Sequence, residues 1–70
     1  MISLVIHKGT PVSVCVDRHA FPIVDGELEH AEDQRLGCKF EGKEEQYNKA
    51  YDLARWAHEN NCYDEIVRNL

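Results

Sequence analysis

The side chains best suited to bind a metal are His58 and Cys62, which lie four positions apart. On one helix face this spacing would bring both to a single zinc ion, and Cys38 with another histidine would complete a tetrahedral site. The chain has no CxxC pair and no second pair at helical spacing. His58 also falls on the apolar side of the predicted helix, which is typical of a core histidine. We therefore predict no metal and no cofactor.

Nucleophilic catalysis has one candidate pair, because His19 follows Cys15 closely in the sequence. A cysteine with a histidine base is the minimum for thiol chemistry. The spacing does not force the two side chains together, and no glycine-rich turn follows Cys15. The four glycines are isolated, so the chain also lacks a phosphate-binding loop. The sequence therefore predicts no catalytic residue and a protein that is not an enzyme.

Acidic residues are concentrated in residues 25–33, in a chain whose net charge is −5. Dense negative charge steers basic partners toward it and disfavours direct binding of nucleic acid. One hypothesis is therefore a small inhibitor of the phage or mobile-element type, which mimics nucleic acid and blocks a nucleic-acid-binding protein. The alternative is a solvated loop that aids solubility. The stretch contains five acids and no base: Asp25, Glu27, Glu29, Glu32 and Asp33.

A long helix is predicted over residues 43–61, where apolar side chains recur at helical spacing. Glu44 and Glu45 suit its first turn, where carboxylates favour the positive end of the helix dipole. Asn60 and Asn61 are a plausible stop, because asparagine tolerates the left-handed conformation. At about 100° per residue, the helix forms a stripe that would pack on a sheet: Tyr47, Ala50, Tyr51, Leu53, Ala54, Ala57 and His58.

Trp56 lies off this stripe, on the polar side of the predicted helix. Together with Arg55, Asp52 and Glu59 it has the composition of an interface hot spot, in which tryptophan and arginine are over-represented. We therefore predict that another protein docks there. Two alternatives remain: residues 64–70 fold back over Trp56, or two copies of the chain associate through this helix to extend a small core.

The elements that must position these side chains begin with two alternating β-branched segments, residues 2–6 and 12–16. Pairing them about Gly9 sets Ile6 opposite Val12, Leu4 opposite Val14, and Ile2 opposite Val16. Ser3, Val5, Ser13 and Cys15 then share the other, more exposed face. Residues 21–24 form a third strand, which Pro22 assigns to a sheet edge because proline cannot donate a ladder hydrogen bond.

The rest of the chain is less clearly patterned. Asp25-Gly26 is a strong turn signal, and residues 27–34 are predicted as a short helix or irregular segment, with a hairpin that pairs Ile23 with Leu28 as the alternative. Residues 36–40 alternate as a strand. Residues 65–70 are predicted as a short helix capped by Asp64, with a final strand as the alternative.

The predicted fold is α+β, a single domain over residues 1–70 with a small, mainly antiparallel sheet of three to four strands packed on one long helix. The chain contains no apolar run of about 20 residues, as a membrane span requires, and no signal-peptide pattern. Its three cysteines match no disulfide framework. We therefore expect a cytoplasmic, non-enzymatic binding or regulatory protein that docks on another protein through helix 43–61.

Overall fold

The computed structural model describes residues 1–30 and 44–69. In these residues five strands form a mixed sheet in the order β4-β3-β2-β1-β5, and one helix packs on one face of it. All neighbouring strands are antiparallel except β1 and β5, which are parallel. The elements are β1 (Ile2–His7), β2 (Thr10–Val16), β3 (His19–Val24), β4 (Glu27–Leu28), α1 (Glu44–Asn60) and β5 (Glu65–Asn69).

The predicted α+β class is confirmed, but the predicted C-terminal helix is wrong. The end of the described chain forms β5, which pairs in parallel with β1. Asp64, predicted to cap a helix, joins the two strands instead: its backbone amide donates to the Ile2 carbonyl at 2.8 Å, and its carboxylate accepts the Ile2 N–H at 2.7 Å. Pairing with a distant strand therefore outweighs the local capping signal, and the sheet gains a strand beyond the three or four predicted.

The β1–β2 hairpin follows the predicted register over most of its length. Ile2 pairs with Val16 and Leu4 with Val14, as predicted, whereas Ile6 pairs with Pro11 across a bulge. The predicted loop of four residues is a two-residue turn, Lys8-Gly9, in which both residues have positive φ, the turn type that suits a tight hairpin. The bulge absorbs the extra residue, so Val12 leaves the core and is 37% exposed.

Residues 27–28 form a hairpin with β3 rather than a helix or an irregular segment. Asp25 and Gly26 both have positive φ, and Ile23 pairs with Leu28 as the hairpin alternative predicted. The edge position predicted for Pro22 is wrong, because β4 lies beyond β3. The Pro22 carbonyl accepts a hydrogen bond from the Glu29 amide at 2.8 Å. The backbone of Pro22 therefore faces β4, and its missing N–H costs no hydrogen bond to β2.

Helix α1 ends as predicted. Asn61 adopts a left-handed conformation with φ of 50°, and the Cys62 amide donates to the Ala57 carbonyl at 3.0 Å. This six-to-one bond is the Schellman arrangement that satisfies the last carbonyls of a helix. Lys43, predicted as the helix start, and the predicted strand at residues 36–40 lie outside the described residues.

The core lies between α1 and the central strands β2 and β3, with β1 at its margin. Alanines dominate the buried side of α1, which lets the helix backbone approach the sheet closely while Tyr47 and Phe21 fill the space at the sides. The buried stripe is narrower than predicted, because Leu53 is exposed and Tyr51 and His58 are half-buried. The buried side chains are Leu4, Val14, Val16, Phe21, Tyr47, Ala50, Ala54 and Ala57.

The opposite face of the sheet carries small and apolar side chains. Ser3, Val5, Ser13 and Cys15 share this face and are half-buried, in agreement with the predicted alternation.

No helix within residues 1–30 and 44–69 has the length and apolarity that a membrane crossing requires.

Candidate protein-docking surface

Trp56 projects away from the sheet, on the outer side of α1. Its neighbours Ala54 and Ala57 are fully buried, and the helical rotation of about 100° per residue turns the indole to the other side. The Trp56 side chain is 51% exposed. Because residues 65–69 lie in the sheet beside β1, residues 64–69 do not fold back over it. The cover predicted as an alternative is therefore wrong for this part of the chain.

Two further large apolar side chains are exposed, one on α1 and one on β5. Leu53, one turn before Trp56, is 48% exposed, and so is Ile66 on β5. Tyr51 and Arg55 border β4 from one flank of α1, whereas Leu53 lies on the other flank, beside the turn between β2 and β3. Ile66 pairs with Leu4 and shares its face. The helix packs mainly on β2 and β3 and less on β1, and Ile66, on the strand beyond β1, stays about half exposed.

Polar side chains surround the indole. Arg55 Nε donates to Glu59 Oε1 at 3.1 Å in an (i, i+4) ion pair between two largely exposed side chains. Such pairs contribute little to stability, so both groups stay available to a partner. Asp52 is also exposed. The structure thus brings together all four residues predicted for this interface, and we refer to Asp52, Leu53, Arg55, Trp56 and Glu59 as the Trp56 surface.

The described part of the acidic stretch lies at and beside β4. Asp25 occupies the β3–β4 turn, Glu27 is on β4, and Glu29 follows it. Asp25 and Glu27 are exposed and Glu29 is half-buried. Glu32 and Asp33 lie outside the described residues. Because β4 and β5 are opposite edges of the sheet, Glu27 lies far from Ile66.

The zinc site and the thiol pair weighed in the sequence as candidates find little geometric support in the described residues. His58 and Cys62 do not share a helix face, because α1 ends at Asn60 and Asn61 turns the chain. Within residues 1–30 and 44–69, no group of three or more His, Cys, Asp or Glu side chains is placed to hold a metal; Cys38 lies outside them. Cys15 pairs with Ala20 and His19 with Val16. Cys15 and His19 therefore point to opposite faces of the sheet and cannot form a catalytic pair.

The sequence analysis missed a cluster of histidine and tyrosine rings near the start of α1. The His30 ring stacks on Tyr51 with centroids 4.1 Å apart, and its Nδ1 lies 2.9 Å from the Tyr47 hydroxyl. Tyr47 also meets Phe21 edge-on at 5.6 Å and His19 at 5.8 Å. Three sequence segments converge here, namely β3, the residue after β4 and α1, so no short motif marks the cluster. It fastens the chain after β4 to the helix.

A cavity of about 570 Å³ opens beneath the C-terminal end of α1, a volume within the range of small-molecule sites. Tyr63 is one of the residues that line it, and burial raises the pKa of Tyr63, because desolvation disfavours the phenolate. The sequence could not indicate the cavity, because several separate segments line it: Leu4, Thr10, Pro11, Ile23, Asp25, Gly26, His58, Asn61 and Tyr63.

Comparison of the chain with protein-family models, curated proteins and solved structures finds no match. The functional assignment therefore depends on the geometry of the chain itself.

Proposed function

We propose that this protein is a non-enzymatic binding protein of the cytoplasm, which regulates another protein by docking on it through the Trp56 surface. The observation that carries the proposal is the 51% exposure of Trp56 between two fully buried alanines. Tryptophan and arginine are the residues most enriched among interface hot spots. An indole held in water forgoes apolar burial, which a partner would restore.

The setting of Trp56 favours tight docking. The indole is carried by a 17-residue helix whose opposite side is anchored in the core, so binding would order little backbone. A preorganised surface avoids part of the entropic cost of association. Leu53 extends the apolar area, and the Arg55–Glu59 pair supplies a donor and an acceptor at its margin. An apolar centre with a polar rim is the usual anatomy of protein interfaces.

A second candidate is the acidic inhibitor, which would act through residues 25–33 on a basic, nucleic-acid-binding protein. Its support is the charge distribution: the exposed carboxylates of Asp25 and Glu27 begin a stretch of five acids without a base. Electrostatic association of this kind weakens steeply with salt, whereas an aromatic anchor depends on salt much less. The two candidates therefore make opposite predictions.

The test is comparative capture of proteins from the source cell by immobilised wild-type protein and variants. Trp56→Ala should lose a partner that the matched control Lys49→Ala retains, since Lys49 is an exposed residue of the same helix. Binding should change little between low and high salt. If the partner is instead lost on joint neutralisation of Glu27, Glu29, Glu32 and Asp33 and binding is salt-sensitive, the acidic inhibitor is correct. A partner unaffected by either change would refute both.

A further inference from the structure

Strand β5 presents a free edge in the described part of the chain. It is the terminal strand of the sheet order, and no strand among residues 1–30 and 44–69 lies beyond it. The Lys8 amide donates to the Asn69 carbonyl at 2.9 Å, so the backbone of Asn69 faces β1. Backbone groups alternate in direction along a strand. The N–H and C=O groups of Ile66 and Arg68 therefore point away from the sheet, into the position of another strand.

Few of the devices that protect edge strands are present on β5. Its sequence, EIVRN, contains no proline, glycine or lysine, and its pairing with β1 runs over five consecutive residues without a bulge. Two β-branched residues occupy its centre. Ile66 is 48% exposed on the helix side, and Val67 lies on the opposite face. An edge of this kind is a template for pairing with another chain. By contrast, β4 at the other edge has only two residues.

The charge distribution selects a second copy of this chain as the occupant. The β5 edge carries one acid, Glu65, and one base, Arg68, and is therefore neutral. Glu27, an exposed residue of the acidic stretch, lies on β4, four strand spacings from β5, or about 19 Å. This separation is about twice the Debye length at physiological salt. Two copies meeting at β5 would keep Glu27 of one copy well away from Glu27 of the other, whereas a strongly basic partner would be drawn to the opposite edge.

We propose that β5 pairs antiparallel with β5 of a second copy across a two-fold axis normal to the sheet. Residues opposed in an antiparallel pair share a face, and Ile66 and Arg68 both lie on the helix side. When the pair is centred on Val67, Ile66 of each copy lies opposite Arg68 of the other copy. The outward backbone groups of both residues then form four hydrogen bonds, and the aliphatic part of Arg68 covers Ile66.

This symmetry has a geometric consequence for the helices. A two-fold axis normal to the sheet keeps the helix side of one copy continuous with that of the other. Both copies of α1, and both Trp56 surfaces, then lie on the same side of one extended sheet. The pairing itself does not use Trp56, so the dimer stands independently of the proposed docking function.

Sedimentation of the full chain from low to high micromolar concentration tests the pairing. Wild-type protein should show a concentration-dependent dimer, and Ile66→Lys should weaken it at least about tenfold in dissociation constant. Val12→Lys is the matched control, because Val12 is also an exposed β-branched strand residue, and it should dimerise normally. Trp56→Ala should dimerise normally as well. A strictly monomeric wild-type protein, or a dimer lost in Trp56→Ala but kept in Ile66→Lys, would overturn the proposal.

Cysteine cross-linking tests the register. Val67 would meet Val67 of the second copy at a non-hydrogen-bonded position, where Cα atoms lie about 4.5 Å apart, within the range that a disulfide can bridge. Val67→Cys should therefore give a covalent dimer on mild oxidation, well above the level seen with wild-type protein. Glu65→Cys should not, because residue 65 would face Asn69. Equal cross-linking of the two variants would refute this register.

Discussion

His30 lies flat against Tyr51, with ring centroids 4.1 Å apart and ring planes within 14° of parallel. The same imidazole contacts the Tyr47 hydroxyl through Nδ1. Both tyrosines belong to α1, whereas His30 follows β4. The His30 side chain thus fastens the end of the β3–β4 hairpin to the helix. A histidine therefore adds to the contacts that the apolar core residues make.

His30→Ala should lower the free energy of unfolding by about 1–2 kcal/mol, the sum of a lost aromatic contact and a lost hydrogen bond. Urea unfolding followed by helical circular dichroism measures this change. His7→Ala, at an exposed strand end, is the control and should change stability by less than about 0.5 kcal/mol. Equal effects of the two substitutions would mean that the stacking contributes nothing.

Trp56→Ala should leave the unfolding free energy within about 0.5 kcal/mol of wild type, because half of the side chain is in water and its helix neighbours provide the core contact. Ala54→Ser should be clearly more destabilising, since Ala54 is fully buried on the sheet-facing side of the same helix and the new hydroxyl would lose its contact with water. Thermal and urea unfolding compare the two. A loss of more than about 2 kcal/mol in Trp56→Ala would identify a structural role and weaken the docking proposal.

Asp64→Ala should destabilise the protein by about 1–2 kcal/mol, because the Ile2 amide loses its carboxylate acceptor at the start of β1. Asp64→Asn keeps an acceptor oxygen and should restore part of the loss. Asp52→Ala removes an exposed carboxylate from α1 and serves as the control. Hydrogen exchange of the β1 and β5 amides should locate the effect; unchanged protection in Asp64→Ala would contradict the role assigned to this contact.

Tyr63 should make the protein less stable at alkaline pH. Burial raises the pKa of Tyr63 above the ordinary tyrosine value of 10.0, so near and above that pH the folded chain retains a proton that the unfolded chain releases. Stability therefore falls as pH rises through this range, while below it the contribution is fully present. Tyr63→Phe should lose this part of the alkaline destabilisation. In a pH titration followed by phenolate absorbance, Tyr63→Phe should lack one tyrosine that ionises at raised pH in the wild-type protein. Identical titration curves for the two proteins would refute the assignment.

Local patterns predicted the elements that are themselves local. The register of Leu4 with Val14 follows from alternation and a glycine turn, and the position of Trp56 off the buried stripe follows from helical periodicity. The place of β5 could not be predicted, because its partner strand begins 62 positions before Asp64. The capping signal of Asp64 is the same whether it serves a helix or accepts from a distant amide. Leu53 was misplaced for a related reason: how much of a helix is buried depends on which strands it covers.

The histidine–tyrosine cluster could not be predicted from the sequence for a different reason. Helical periodicity correctly assigns Tyr47 and Tyr51 to one side of the helix. Their partner His19 is the first residue of β3, and their partner His30 follows the β3–β4 hairpin. No sequence spacing relates either histidine to the tyrosines. Such contacts arise only when the sheet order is known, because that order decides which loops lie beside the helix.

The parallel pairing of β1 with β5 also determines the order in which the fold can assemble. The three hairpins linking β1 to β4 close through short turns, so they can form within microseconds. Joining Ile2 to Asp64 must close a loop of about 60 residues, which carries an entropic barrier that only the preformed sheet can offset. We therefore expect β5 to attach last during refolding and to detach first in native-state fluctuations. Its amides should exchange fastest among the strands that flank the core.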